Sequence, residues 1–191
     1  SYIGSGIDIY RGIADRDKSL NSIRFVMERL RREAGNALPN SISITADKQC
    51  LTFTPIIASS RYQSSFPIAP LTASSGPIAP LSDYTFSPGD RAVVYLLESS
   101  ELSGSKVQTI DSVSAAYDTL NFGAAISFAS ASPAKRVYII RDNISYYFKG
   151  TNLYRSSQCN SGVLMAEQIS GSFNMQQASL QRNALLQAVF K

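Results

Sequence analysis

The chain has no histidine. That removes the commonest general base and the commonest metal ligand. The usual chemical signatures are missing too: there is no GxSxG elbow, no GxxxxGK[S/T] loop and no GxGxxG fingerprint. Acidic residues that could form a carboxylate pair exist, among them Asp83, Asp90, Glu98, Glu101, Asp111, Asp118 and Asp142. Each falls at an expected turn or strand end, where acids sit by default. No D-x-D-x-D-G loop gathers them for calcium. The sequence therefore points away from an enzyme, and it implies no catalytic residue, no metal and no cofactor.

Long apolar runs are absent as well. None reaches the ~18 residues of a membrane-spanning helix. No signal peptide is visible, and the expectation is that processing has removed whatever lay upstream. Cysteine is scarce, with only Cys50 and Cys159. An even count in a Ser/Thr-rich, loop-rich chain suits an oxidising compartment and a disulfide. Two unrelated reduced cysteines are the alternative. Two cysteines without histidine cannot complete a structural zinc site.

Charge is modest. A net charge of +4 and a pI near 9.1 make the chain mildly basic. The densest basic group, Arg29, Arg31 and Arg32, shares a helical stretch with Glu28 and Glu33. A nucleic-acid stripe would interleave basic residues with several exposed aromatics. A solvated helix face is the simpler reading, so no nucleic-acid partner is expected. The sequence gives no indication for or against a small-molecule ligand.

What is present begins with one long amphipathic stretch, Tyr2 to Leu38, expected as a helix. Its packing face is Ile13, Leu20, Ile23, Met27, Leu30 and Ala34, followed by Ala37. The spacing alternates threes and fours and keeps these residues on one side. Pro39 stops the helix, because it lacks an N–H and disfavours helix in the residue before it. The start is unusually apolar (Tyr2, Ile3, Ile7, Ile9, Tyr10), and Gly4, Gly6 and Gly12 weaken its propensity. Either an apolar helix continues upstream, or a frayed start packs on its own domain.

The remainder reads as strand. Ser41 to Thr45 alternates and pairs with Leu51 to Thr54 across an Asp47-Lys48 turn, with Cys50 at the entry. Residues 55–90 are rich in Pro and Ser, and Pro67-Ile68-Ala69-Pro70-Leu71 recurs as Pro77-Ile78-Ala79-Pro80-Leu81. Proline blocks ladder formation, so this is expected to be a long surface excursion. Its apolar residues Tyr62, Phe66, Ile68, Leu71, Ile78 and Leu81 form a candidate partner-contact loop; a lineage-specific insertion is the other reading. Strands are expected at Arg91–Leu97, Lys106–Asp111, Thr119–Phe122, Val163–Gln168 and Gly171–Asn174. A meander is expected through Arg136–Arg141, Ile144–Lys149 and Asn152–Arg155. Leu180–Phe190 tolerates helix or strand, and the need to close a sheet favours strand. The fold class is therefore α+β, one long N-terminal helix packed on antiparallel sheet. A stem over residues 1–38 and a β-rich head over 39–191 form one structural domain.

Several stretches together resemble minor pilins of type IV pilus systems, and in particular the MshO-type minor pilins of the mannose-sensitive haemagglutinin (MSHA) pilus. They include Ile7-Asp8-Ile9-Tyr10, Ala14-Asp15-Arg16-Asp17, the segment Ser22 to Leu30, and Asn36-Ala37-Leu38-Pro39-Asn40-Ser41. Cys50 to Ile56, Gly89 to Tyr95, Ser132-Pro133, Arg136 to Ile144 and Arg182-Asn183-Ala184-Leu185 also look like that family. The minor pseudopilins of type II secretion share the outline. The resemblance implies a pilin-like fold whose upstream transmembrane half-helix has been truncated. It implies a structural subunit that helps initiate or cap pilus assembly. Its partners would be other minor pilins, the major pilin and the inner membrane, the last through the missing half-helix. The head would lie in the bacterial periplasm and then in the pilus at the cell surface. A secreted adhesin module that binds through residues 55–90 is the reading from a different class.

Overall fold

A computed structural model describes residues 8–11, 18–176 and 185–190. In chain order the elements are β1 (Asp8–Arg11), α1 (Lys18–Gly35), β2 (Ser43–Ile44), β3 (Cys50–Phe53), β4 (Ile56–Arg61), β5 (Ala73–Pro77) and β6 (Arg91–Val93). A short 3-10 turn covers Ser99–Ser103. Then come β7 (Val107–Thr109), β8 (Ser112–Val113), β9 (Thr119–Ile126), β10 (Arg136–Ile140), β11 (Ile144–Lys149) and β12 (Asn152–Ser156). The last three are β13 (Val163–Glu167), β14 (Gly171–Gln176) and β15 (Leu185–Phe190). Among the described residues the fold is mixed, one α-helix with mainly antiparallel sheets, as the α+β expectation has it.

The helix is shorter than the expected Tyr2–Leu38. It spans 18 residues, Lys18–Gly35, and Asp8–Arg11 is a strand that pairs in parallel with Gln187–Phe190. The distant partner decides the strand, and the local pattern is compatible with it. Ile7-Asp8-Ile9-Tyr10 alternates apolar and polar at its first three positions and is β-branched, a period of two rather than 3.6. At the other end, Asn36 and Ala37 donate their N–H groups to Glu33 and Ala34 at 3.1 and 3.2 Å, closing the last turn ahead of Pro39.

The chain divides into two compact units, along different lines from a stem and a head. The first comprises Ser1–Ala37, Ile42–Pro55 and Asp142–Lys191. Its main sheet has the order β13-β12-β11-β3-β2, antiparallel throughout. A second sheet, β1-β15-β14, joins β15 to β1 in parallel and to β14 antiparallel. The strand expected near the end is present as β15. The helix and the five-stranded sheet enclose a core of Val26, Leu30, Ala34, Leu51, Phe53, Tyr146, Phe148, Leu153 and Phe173.

The second unit comprises Leu38–Ser41 and Ile56–Arg141. It holds two antiparallel sheets, β4-β10-β6-β7 and β5-β9-β8. Two expectations change here. Residues 55–90 are not a ladder-free excursion, because β4 and β5 lie within them. Pro77 occupies the last paired position of β5 and the other prolines fall between strands, where no ladder N–H is required. The meander also loses its first hairpin. β10 pairs with β4 and β6, whereas β11 pairs with β3 and β12. The chain thus passes from the second unit to the first between Arg141 and Asp142, and only the β11–β12 hairpin of the expected meander forms.

Candidate interaction surfaces

The helix face comes first. Leu30 and Ala34 are buried, and Ile23 and Met27 pack against the same core from partly exposed positions. Ile13 lies outside the described residues, as does the side chain of Leu20. Periodicity alone did not single out Val26, yet it is fully buried between these residues. The opposite face carries Arg24, Phe25, Glu28, Arg31 and Arg32, all exposed. Phe25 is 60% exposed, unusual for so large an apolar side chain.

Where the helix meets the sheet sits a polar network that the sequence does not announce. Tyr146 donates its hydroxyl to Glu33 at 2.6 Å. Arg155 reaches the same carboxylate at 3.0 and 3.1 Å, and Arg29 donates to it at 2.8 Å. Burial alone would raise the Glu33 pKa. Hydrogen bonds from Arg155, Tyr146 and Arg29 outweigh it and hold the carboxyl below its usual range. The only advance signal was the four-residue spacing of Arg29 and Glu33. This network fixes the helix to β11 and β12, and its groups partner one another rather than a ligand.

On the face of the sheet away from the helix lies the disulfide. Cys50 and Cys159 are joined, so the oxidised alternative holds. Alternation along β3 and β11 puts Cys50, Thr52, Ser145 and Tyr147 on this side. The polar loop between β12 and β13 folds back over them. Thr52 Oγ1 contacts Cys159 Sγ at 3.5 Å, and Tyr147 donates its hydroxyl to the Asn160 carbonyl at 3.2 Å. Tyr147 also stacks on Tyr154, with ring centres 5.3 Å apart. This cover explains why Cys50, Ser145 and Tyr147 are buried on a face that has no helix. Gly162 permits the return: a Cβ there would come within 2.5 Å of the Arg155 carbonyl oxygen.

The candidate partner-contact loop proves to be core. Tyr62, Phe66 and Ile78 are buried in the second unit, and Ile68 and Leu81 pack against the same cluster. Phe66 stacks on Tyr62 at 5.0 Å and on Phe128 at 5.4 Å. Of the six residues Leu71 is exposed, at 45%, and Ile68 and Leu81 are partly exposed. The apolar content that suggested a contact surface is used internally instead.

Three of the acids considered for chemistry, Asp90, Glu101 and Asp118, are held in internal contacts. Asp90 is fully buried. Its two oxygens accept from Arg141 Nε at 2.6 Å, Arg141 Nη2 at 3.0 Å, the Tyr84 hydroxyl at 2.6 Å and the Ser87 N–H at 3.0 Å. Burial would raise its pKa, but these donors hold it below the usual range. Burial and the neighbouring carboxylate push Tyr84 upward. Glu101 is held by Lys106 at 2.8 Å, and Asp118 by Ser114 at 2.7 Å. Among the described residues no group of three or more His, Cys, Asp or Glu could hold a metal ion. No family model, curated protein or solved structure matches this chain.

Proposed function

We propose that this protein is a non-enzymatic assembly subunit, a minor pilin of the MSHA type that helps initiate or cap a type IV pilus. One observation carries the reading. A helix lays one apolar face on an antiparallel sheet, and a disulfide pins a loop over the sheet's other face. The stretches that resemble the family support it by their placement. Ser22–Leu30 lies in α1, Asn36–Ser41 follows the helix exit, and Cys50–Phe53 is β3. Polar side chains gathered in both units pair with one another, as suits a scaffold. On this reading the partners are other minor pilins and the major pilin. The protein resides at the bacterial inner membrane with a periplasmic head before joining the fibre.

The reading requires a stem that continues upstream of α1. It therefore expects residues 8–11 to exchange their pairing with β15 for helix when the preceding segment is present. The deciding experiment is to read the encoded sequence upstream of Ser1. The expected result is a basic leader ending in Gly, followed by about 20 apolar residues, long enough to cross a bilayer. A conventional cleavable signal peptide would overturn the proposal. Deleting the encoding gene should then reduce piliation, and the intact gene should restore it.

A further inference from the structure

We infer that the exposed face of α1 is a docking surface for anionic lipid headgroups. The inference goes beyond the assembly reading and does not depend on it.

The starting point is charge distribution. The residues of the first unit include 12 Lys and Arg against 8 Asp and Glu; those of the second include 6 against 6. The whole net charge of +4 thus belongs to the first unit. Helix α1 alone carries 5 basic residues against 2 acidic, three of those four charges. Its two acids are not equivalent. Glu33 is committed to Arg29, Arg155 and Tyr146. Among the described residues Arg24, Arg31 and Arg32 form no ion pair, and they lie on the exposed side with Phe25. Spacings of seven set Arg24 above Arg31 and Phe25 above Arg32, two turns apart on one face.

Complementarity then selects the partner. Three unpaired guanidinium groups on one side of a straight element suit a dense array of phosphates, which each can hold bidentately. An acidic partner helix would need a repeating apolar seam. Among the described residues Phe25 is the one large apolar side chain on this face, which makes no repeating seam. Single-stranded nucleic acid stacks successive bases on several aromatics, and here there is one. A bilayer interface accepts an isolated aromatic inserted among headgroups, flanked by basic residues. Among the described residues Glu28, in the middle of the face, is the only exposed acid of the helix that opposes such a surface.

The test uses the full chain and vesicles of phosphatidylcholine alone or mixed in equal parts with phosphatidylglycerol. Sedimentation should show binding to the mixed vesicles, loss at high salt, and little binding to phosphatidylcholine. Arg24→Gln, Arg31→Gln and Arg32→Gln should each weaken partitioning roughly fivefold, the effect of about one juxtamembrane charge. Glu28→Gln should strengthen it by a similar factor on mixed vesicles and leave binding to phosphatidylcholine unchanged, whereas misfolding would raise binding to both. The chain has no tryptophan, so Phe25→Trp supplies a single reporter whose emission should shift to the blue on mixed vesicles only. Equal binding to both vesicle types, or indifference to the arginine and Glu28 changes, would overturn the inference. So would stronger binding to polyglutamate or oligothymidylate than to the mixed vesicles, which would assign the face to protein or nucleic acid.

Discussion

Single residues in this chain carry unequal weight, and Asp90 carries much of it. It is wholly buried and accepts four hydrogen bonds, two of them from Arg141. Arg141 is 39% exposed and stays hydrated when Asp90 is removed, so Asp90→Ala should cost about 1–3 kcal/mol in urea unfolding, mainly through the unpaired Tyr84 hydroxyl and Ser87 N–H. Glu33 and Asp90 both have pKa values held below the usual 4.5 and 3.8. The folded protein therefore binds fewer protons in acid than the unfolded chain. Their contribution is complete above those ordinary values and is lost as pH falls through the depressed ones. Thermal midpoints should be flat from neutrality to about pH 5 and decline below it, less steeply in Glu33→Gln than in the parent. Gly76 is the third such residue. A Cβ there would meet Phe66 at 2.4 Å and Pro67 at 2.9 Å. Gly76→Ala should cost roughly 1–3 kcal/mol, because the buried ring has little room to give. None of these roles could be read from the chain alone: Asp90 and Arg141 are 51 residues apart and Glu33 and Arg155 are 122 apart.

At the scale of elements, the helix shows what a sequence reveals and what it hides. Threes and fours identify Leu30 and Ala34 as buried and Ile23 and Met27 as flanking. Leu30→Ala should cost about 2–5 kcal/mol by chemical denaturation. Phe25→Ala should stay within about 0.5 kcal/mol, because its ring already faces solvent. The helix start was less legible, since an apolar excess counts equally toward either period over so short a segment. The strand partner that decides it, β15, lies some 180 residues downstream. The hairpin expected at Asp142-Asn143 fails for the same reason. Turn-prone residues show that the chain bends, not which strands then pair. The proline-rich stretch failed differently. Proline excludes the interior of a ladder but not the end of a strand, and Pro77 takes that end.

For the molecule as a whole, the chain path matters more than any one contact. It leaves the first unit after Pro55 and re-enters at Asp142, and Phe53 and Ile144, just inside those two points, are directly paired. Within the second unit Ile56 and Ile140 are likewise paired, so the long excursion begins and ends at neighbouring strands. Replacing residues 56–141 with a short Asn-Gly turn should leave a first unit that folds and forms its disulfide, as far-UV circular dichroism and thiol titration would show. The Cys50–Cys159 link spans 109 residues. In the chain-entropy account its loss in Cys159→Ser should lower stability by about 4–5 kcal/mol. The same link has a consequence for survival among proteases. Every peptide bond between Cys50 and Cys159 lies inside a covalent ring. A single cut anywhere in that ring, including any loop of the second unit, leaves one molecule rather than two. Nicked protein should migrate as an intact chain until a reductant is added, and only then separate into its pieces.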